Sequence, residues 1–287
     1  MKEADTTRTN AIDEIGIVSG EKENAMAFLR NYHTHTYRCK HAVGTDEEYV
    51  LSAINAGLDT LGFSDHSPYP MPNGYVTWYR QSQEEAEDYI NSLLSLRKKY
   101  RDKIRILIGY ETEYYPSYFE NLLKLYRTYP LDYVILGQHN VGEELLGCTD
   151  TFSPTDDVQV LCRYTAQVCE GLRTGVFTYL AHPDCIKFVG DENIYLREMS
   201  KICECAKELD IPLEINLYGL SQNRIYPRHS FWKLAGEYGN TAIIGSDAHS
   251  PDRVAVKEEY NRAVNEIVIP NGLKLIDTPA LKSPFGK

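Results

Sequence analysis

Two hydrophobic patterns alternate along the chain and predict its secondary structure. Short, almost continuously apolar runs are typical of buried strands, whereas the longer segments between them carry apolar residues at helical spacing. Strands are predicted over residues 28–33, 58–66, 104–114, 131–139, 176–182, 211–220 and 241–249. Helices are predicted over residues 45–57, 82–100, 117–129, 157–173, 194–209, 229–239 and 251–267.

Local signals mark where several of these helices begin and end. Thr45 stands where an N-cap is needed, acidic residues fill the turn after it, and Gly57 stands at the end of the segment. Ser82 and Glu85 have the spacing of a capping box. Pro251 suits the first turn of the last helix.

Seven strand–helix units with nearly continuous apolar strands predict a parallel sheet that is covered on both faces. A single-domain α/β fold of the distorted (β/α)7, TIM-like barrel type accounts for this pattern most simply. A doubly wound open sheet is the alternative. We predict an N-terminal extension over residues 1–26, because that stretch is polar and acidic, and one barrel domain over residues 27–287.

Composition narrows the classes of function. The 287 residues are 43% hydrophobic and 25% charged, and the net charge of −11 comes with no basic cluster. We therefore expect no tight non-specific binding to nucleic acid, which needs a positive surface. No run approaches the roughly 20 apolar residues of a membrane span, so no membrane partner is expected. The seven cysteines form no CxxC pair, and the N-terminus has no apolar signal core, which favours a cytoplasmic location.

Histidines carry the strongest chemical signal. Seven of the eight follow a predicted strand or lie in the segment just after one: His33, His35, His41, His66, His139, His182 and His249. Barrel folds assemble metal sites from the ends of many strands. Any single one of these histidines could be a loop or core residue, but seven such positions together predict a metal site. His229, which opens a predicted helix, is the exception and is expected to be a cap or surface residue.

Carboxylates accompany these histidines at the spacing that ligands need. In His33-x-His35 the alternation of side chains along an extended segment puts both imidazoles on one side. Asp247-x-His249 repeats this arrangement, and Glu111 and Glu113 end the third predicted strand. Mixed imidazole and carboxylate ligands favour Zn²⁺, Mn²⁺ or Fe²⁺.

This ordered series of motifs resembles the polymerase and histidinol phosphatase (PHP) superfamily. The stretch CKHAVGTDEEYVLSAINAGLDTLGFSDHSP and the segment GYETEYYP are similar to the histidinol-phosphate phosphatases in particular. The resemblance covers roughly residues 30–266. It implies a distorted (β/α)7 barrel that holds three divalent metal ions.

Carried over by position, the resemblance implies nine ligands. His33, His35, Glu111 and Asp247 would hold the first ion. Glu111 would bridge to the second ion, which His139 and His182 would also hold. The third ion would be held by the remaining three, His41, His66 and His249. Asp65 is a candidate to orient a ligand histidine, and Glu113 is expected beside the site rather than in it.

The implied activity is hydrolysis of a phosphomonoester by a metal-bridging hydroxide, with Glu111, Asp247 and His249 as the catalytic residues. The implied substrate is L-histidinol phosphate, which would yield L-histidinol and phosphate in histidine biosynthesis. Arg224 and Arg228 are candidates to bind the phosphate, or else solvated loop charges. The proton for the leaving group would come from Asp247 or from a metal-bound water.

Three alternatives stay open at this point. The segments around Asn216–Gly219 and Gln138–Asn140 depart from the pattern of histidinol phosphatases, so the substrate could be another small phosphate ester or a short nucleotide. The second alternative is an amidohydrolase-like barrel, which also uses an HxH motif and a late aspartate. The third is a module of this family retained only for binding, which would be expected to have lost metal ligands. The oligomeric state is left open.

Overall fold

A computed structural model describes residues 28–284 of the chain. The predicted extension over residues 1–26 lies outside these residues, so the proposed division of the chain stays a prediction. The strands are β1 (Arg30–Asn31), β2 (Thr60–His66), β3 (Arg105–Thr112), β4 (Tyr133–Leu136), β5 (Asn140–Glu143), β6 (Gly147–Asp150), β7 (Leu213–Asn216), β8 (Thr241–Gly245) and β9 (Lys274–Leu275). The helices are α1 (Asp46–Ala56), α2 (Gln83–Lys99), α3 (Pro116–Tyr126), α4 (Val158–Arg173), α5 (Glu192–Glu208), α6 (Leu217–Ser221), α7 (His229–Glu237) and α8 (Lys257–Ala263).

The main sheet is parallel and curled. One ladder runs in the order β1-β2-β3-β4 and another in the order β7-β8-β9. Isolated parallel bridges at Leu180, to Leu136 on one side and to Leu213 on the other, connect the two ladders. A further parallel bridge joins Thr34 to Ala248. The predicted α/β class is thus confirmed, with helices packed outside a curved parallel sheet.

Alternation of side chains along the strands separates an inner core from the functional end of the sheet. On β3, Leu107 and Glu111 share the inner face, because residues an even number apart point the same way. On β8, Ile243 and Gly245 are related in the same way, and Asp247 follows the end of this strand. The apolar members of this face form an inner core with Tyr32, Tyr133, Ile135, Tyr179 and Ala181. Glu111, near the C-terminal end of β3, is thus a polar side chain on the same face as this apolar core.

The helix caps follow the sequence signals. Thr45 and Ser82 each accept a hydrogen bond from the backbone N–H three residues on, and Glu48 and Glu85 complete the two capping boxes. Gly57 ends α1 with a φ of 82°, a left-handed conformation that glycine adopts without strain. These boundaries depend only on neighbouring residues, which is why they were predictable.

Other boundaries differ from the predictions because tertiary contacts override local pattern. The predicted strand over 176–182 is reduced to the bridges at Leu180. The strand predicted over 211–220 ends at Asn216, whose side chain accepts a hydrogen bond from the Gly219 N–H and so starts α6. The hairpin of β5 and β6 was not predicted. The last predicted helix begins as a short 3-10 turn at Pro251–Arg253, and α8 starts only at Lys257.

Within residues 28–284, none of the helices combines the length and the apolar character that crossing a bilayer requires.

Candidate metal centre

The nine residues that the sequence analysis singled out as ligands converge at the C-terminal ends of the strands. Eight of them line one cavity of about 360 Å³, and His33 lies beneath it against Glu111. The eight are His35, His41, His66, Glu111, His139, His182, Asp247 and His249. The fold therefore gathers side chains that lie up to 216 residues apart in the chain, from His33 to His249.

Glu111 occupies the centre of this cluster. Its Oε1 lies 2.7 Å from Nε2 of His182 and 3.5 Å from Nε2 of His139. Its Oε2 lies 3.1 Å from Nδ1 of His66. The same oxygen is 3.5 Å from Nε2 of His35, and 3.6 Å separates it from His33. One carboxylate thus faces five imidazoles, an arrangement that suits a ligand shared between cations.

Asp247 forms a second point of convergence. Its Oδ1 lies 3.0 Å from Nε2 of His35, 3.4 Å from Nδ1 of His249 and 3.6 Å from Nε2 of His33. Asp247 and His182 have φ values of 51° and 68°, in the left-handed region that residues other than glycine rarely occupy. Backbone strain of this kind concentrates at functional sites, where the surrounding structure enforces it.

The outer wall of the cavity carries the remaining histidines. The ring of His41 lies 5.4 Å from that of His66 and 4.7 Å from that of His249, measured between centroids. Donor atoms of His35, His66 and His249 all lie within 4.8 Å of one another. The sequence analysis did not single out Cys39, but its Sγ and donor nitrogens of His41 and His249 also lie within 4.8 Å of one another. Its only sequence signal was its position two residues before His41.

Electrostatics in the cluster are dominated by burial and by mutual charge. Burial disfavours the charged form of His33, but the negative charges of Glu214 and Asp247 outweigh it and raise the pKa of His33 to about 9. Burial and the positive charge of His35 lower the pKa of His249 to about 3. The carboxylates thus need a compensating positive charge, which a proton on His33 supplies here and a bound cation would replace, and the imidazole of His249 stays neutral.

The residues fit divalent cations. Oε2 of Glu111 and Oδ1 of Asp247 are buried and make no hydrogen bond within the described part of the chain. A buried carboxylate oxygen without a partner is strongly unfavourable, so such atoms indicate a missing electrophile. Nitrogen and oxygen donors in this ratio suit zinc and its neighbours in the transition series.

Two of the histidines also have a carboxylate beside the ring nitrogen that faces away from the centre. Oε1 of Glu214 lies 2.8 Å from Nδ1 of His33, and Oδ1 of Asp65 lies 3.4 Å from Nδ1 of His35. In both rings the other nitrogen, Nε2, faces the centre. Asp65 lies beside His35, and its role in orienting that histidine stays a prediction. Glu214 was missed because it looks like a strand residue with no motif around it.

The two candidate phosphate-binding arginines have different environments. Arg224 lines the cavity, with its guanidinium 5.1 Å from the ring centre of Phe152 and 5.0 Å from that of Tyr218. Arg228 does not line it. Its guanidinium stacks 3.7 Å from the ring centre of Tyr195 and donates to the carbonyl of Phe188 at 3.1 Å.

Arg228 also pairs with Glu192, which leaves its charge satisfied at the outside of the fold. The side chain of Arg228 is thus held outside the cavity by α5 and the segment before it, and its binding to phosphate stays a prediction that this geometry does not favour. His229, the one histidine kept apart from the metal site, opens α7 as expected.

Comparison with known proteins identifies the family of the chain. The family model described as the PHP domain matches residues 31–217 of the chain. The chain belongs to the PHP domain family. Two curated relatives are both named probable histidinol-phosphatase. The one from Deinococcus radiodurans is 28% identical over 247 residues, with 84% of this chain and 94% of the relative covered. The one from Schizosaccharomyces pombe is 34% identical over 256 residues, with 78% and 81% covered.

Solved structures show the same fold. The histidinol phosphate phosphatase of Lactococcus lactis, crystallised with zinc, L-histidinol and phosphate, superimposes with a TM-score of 0.67 at 16% identity, and the match covers 91% of this chain and 98% of that one. A putative histidinol phosphatase of Listeria monocytogenes gives a TM-score of 0.66 at 22% identity, with 83% and 99% covered. At these identities the likeness establishes a shared PHP-type α/β fold.

Proposed function

We propose that this PHP-family protein is a metal-dependent phosphomonoesterase whose substrate is L-histidinol phosphate. The convergence of five imidazoles on the Glu111 carboxylate carries the proposal, because such a buried set of nitrogen and oxygen donors suits divalent cations. The names of the curated relatives support a phosphatase, and zinc in the Lactococcus structure supports the kind of metal.

The proposed ligand set is the one that the sequence suggested, for three divalent ions in a seven-stranded barrel. Bound there, divalent cations lower the pKa of water and offset negative charge on phosphoryl oxygens. Glu111 would be shared between two ions. The full set is His33, His35, His41, His66, Glu111, His139, His182, Asp247 and His249.

The chain's own side chains would bind and orient the substrate. Arg224 lies on the cavity wall between two aromatic rings, which restrict its guanidinium to a few orientations and so favour a fixed contact with a phosphate group. We propose Asp247, whose other oxygen Oδ2 accepts a hydrogen bond from Asn216, as the group that takes the proton lost by the attacking water and gives it to the departing alcohol. Catalytic roles are proposed for Glu111, Asp247 and His249.

Cavity size favours a small substrate. A volume of about 360 Å³ accommodates a metabolite rather than a polymer. Trp78, Tyr79, Phe152, Tyr218 and Tyr226 line it and offer flat surfaces to an unsaturated ring. Another small phosphate ester is the second candidate, because Tyr218 lies in one of the segments that depart from the histidinol phosphatase pattern.

Steady-state kinetics test the proposal. The protein, loaded with Zn²⁺ or Mn²⁺, is assayed for phosphate release from L-histidinol phosphate, other small phosphate esters and a dinucleotide. We expect the highest kcat/KM on L-histidinol phosphate, and we expect His33→Ala to abolish activity. His229→Ala is the matched control and should behave like the unmodified protein.

Two results would contradict the proposal in different ways. If L-histidinol phosphate were hydrolysed no faster than a generic aryl phosphate, the substrate assignment would be wrong while the phosphatase assignment stood. Full activity in the His33→Ala variant would refute the metal site itself.

A further inference from the structure

A second buried group of charges lies directly behind the candidate metal centre. Arg80, Glu113 and Glu144 have side chains only 4% exposed, and Arg80 forms an ion pair with each of the two glutamates. Nη2 of Arg80 contacts Glu113, lies 2.6 Å from Oε1 of Glu144 and donates to the hydroxyl of Tyr79 at 2.9 Å. The hydroxyl of Tyr115 donates to the same oxygen of Glu144 at 2.9 Å.

Such a group is unfavourable to bury unless it serves a purpose beyond stability. Each buried ion loses its hydration, and well-packed apolar side chains of similar volume are often as stabilising as a buried ion pair. The group also holds two carboxylates against one guanidinium, so that one negative charge is left over. The excess charge points to a further positive or hydrogen-bond-donating neighbour.

Tyr79 and Asn140 donate hydrogen bonds to Glu113, and the imidazole of His139 is a further neighbour. Oε1 of Glu113 accepts a hydrogen bond from the backbone N–H of His139 at 3.2 Å and lies 3.5 Å from Nδ1 of its ring. Within residues 28–284 this buried Nδ1 makes no hydrogen bond, so the 3.5 Å contact with Glu113 is the one that a small rotation of the imidazole would close. The opposite nitrogen, Nε2, lies 3.5 Å from Oε1 of Glu111. The imidazole thus stands between a carboxylate of the centre and a carboxylate of the buried group.

Two other imidazoles of the centre repeat this arrangement. His33 and His35 direct Nε2 inwards and face Glu214 and Asp65 with Nδ1. A neutral imidazole carries its proton on one nitrogen and can bind a cation only through the other. A carboxylate at Nδ1 keeps the proton there and leaves the lone pair of Nε2 free for the metal.

We propose that Glu113, anchored by Arg80, is a positioning residue that keeps His139 protonated on Nδ1 and aims its Nε2 at a divalent cation. The inference rests on the proposed function, which takes His139 as a ligand. It extends that function to a residue, Arg80, that has no contact with the cavity and lies 59 positions before His139 in the chain.

Zinc affinity tests the inference without relying on activity. Glu113→Gln keeps the size of the side chain and removes its charge. In competition between the protein and a chromogenic chelator for Zn²⁺, we expect this variant to bind its most affected zinc ion roughly 10- to 100-fold more weakly. NMR of the zinc-loaded protein with labelled histidine should show a changed signal for Nδ1–H of His139.

Matched variants separate positioning from folding. Glu144→Gln disturbs the same arginine but leaves the contact of Glu113 with His139 in place. The zinc affinity of this control should therefore stay within about threefold of that of the unmodified protein, a much smaller loss than the one expected for Glu113→Gln. If Glu113→Gln does not fold, Glu113→Asp, which withdraws the carboxylate from His139 and keeps its charge, is measured instead. It should also bind zinc more weakly.

The outcomes distinguish this inference from the proposed function. His139→Ala is measured in parallel. If it retained full zinc affinity, His139 would not be a ligand and the proposed site would be wrong at that position. If His139→Ala lost affinity while the folded Glu113 variant kept it, the positioning role alone would be overturned.

Discussion

Gly137 is the position where a single added methyl group should disable the centre. It follows β4, and its N–H donates to the carbonyl of Thr112, which fixes the backbone beside β3. A Cβ atom at this position would lie 1.9 Å from Oε1 of Glu111, 2.5 Å from its Cδ and 2.7 Å from its Cγ. We predict that Gly137→Ala displaces the Glu111 carboxylate.

The structure gives the size of the effect. Real Cβ atoms essentially never approach another heavy atom closer than 3.0 Å, so the carboxylate must move by at least about 1 Å. The carboxylate is enclosed by imidazoles, and its Oε1 lies only 2.7 Å from Nε2 of His182. A displacement of about 1 Å in a reacting group typically lowers the rate by about 10²-fold, or roughly 2.7 kcal/mol in the barrier.

The assay combines phosphate release, bound zinc and thermal unfolding. We expect kcat/KM to fall by about 10²-fold and zinc affinity to fall with it. Compared without metal, the unfolding temperatures of the variant and the unmodified protein should differ little, because the three atoms nearest to the added Cβ all belong to the Glu111 side chain. Gly171→Ala is the matched control: its Cβ would lie 2.9 Å from Cβ of Tyr114, away from the cavity, so it should lower stability and leave zinc bound. A Gly137→Ala variant with unchanged kcat/KM and full zinc content would refute the reasoning.

Three further predictions follow from the same structure. Arg224→Ala should raise KM by about 10- to 100-fold, because a hydrogen bond to a charged group contributes about 1.5–3 kcal/mol. Arg228→Ala should leave KM unchanged, and saturation kinetics on one phosphate ester compare the two variants. Ser82→Ala should lower the free energy of unfolding by about 1 kcal/mol through loss of the α2 cap, with activity retained, as urea titration would reveal. Removal of metal by a chelator should lower the unfolding temperature, because an ion present at about 1,000 times its Kd stabilises the folded state by about 4 kcal/mol. An unchanged unfolding temperature would argue against tight binding of metal.

Much of the fold could be predicted because its signals are local. The caps at Thr45 and Ser82 need only three or four neighbouring residues, and both form as expected. The strands β2, β3 and β8 follow apolar runs of the right length. Asn216, in contrast, ends its strand early through a side-chain hydrogen bond that the apolar pattern around it conceals.

The substrate side of the site was less predictable. Arg224 and Arg228 lie in one loop and look equivalent in the sequence. Which of them reaches the cavity depends on contacts with distant segments: Phe152 and Tyr218 flank the first, and Tyr195 and Glu192 hold the second. No periodicity within the loop contains that information.

The sequence by itself determined the chemistry of the centre and its place in the fold. The residue types specify nitrogen and oxygen donors, and the parallel strands bring their ends together, because both features follow from short segments. Only the tertiary structure decided how each donor is oriented. Glu214, 181 residues from His33 in the chain, contacts Nδ1 of that histidine. Glu113, which pairs with Arg80, lies beside Nδ1 of His139. The direction of an imidazole depends on what packs against its far side, and that is set by contacts between distant parts of the chain.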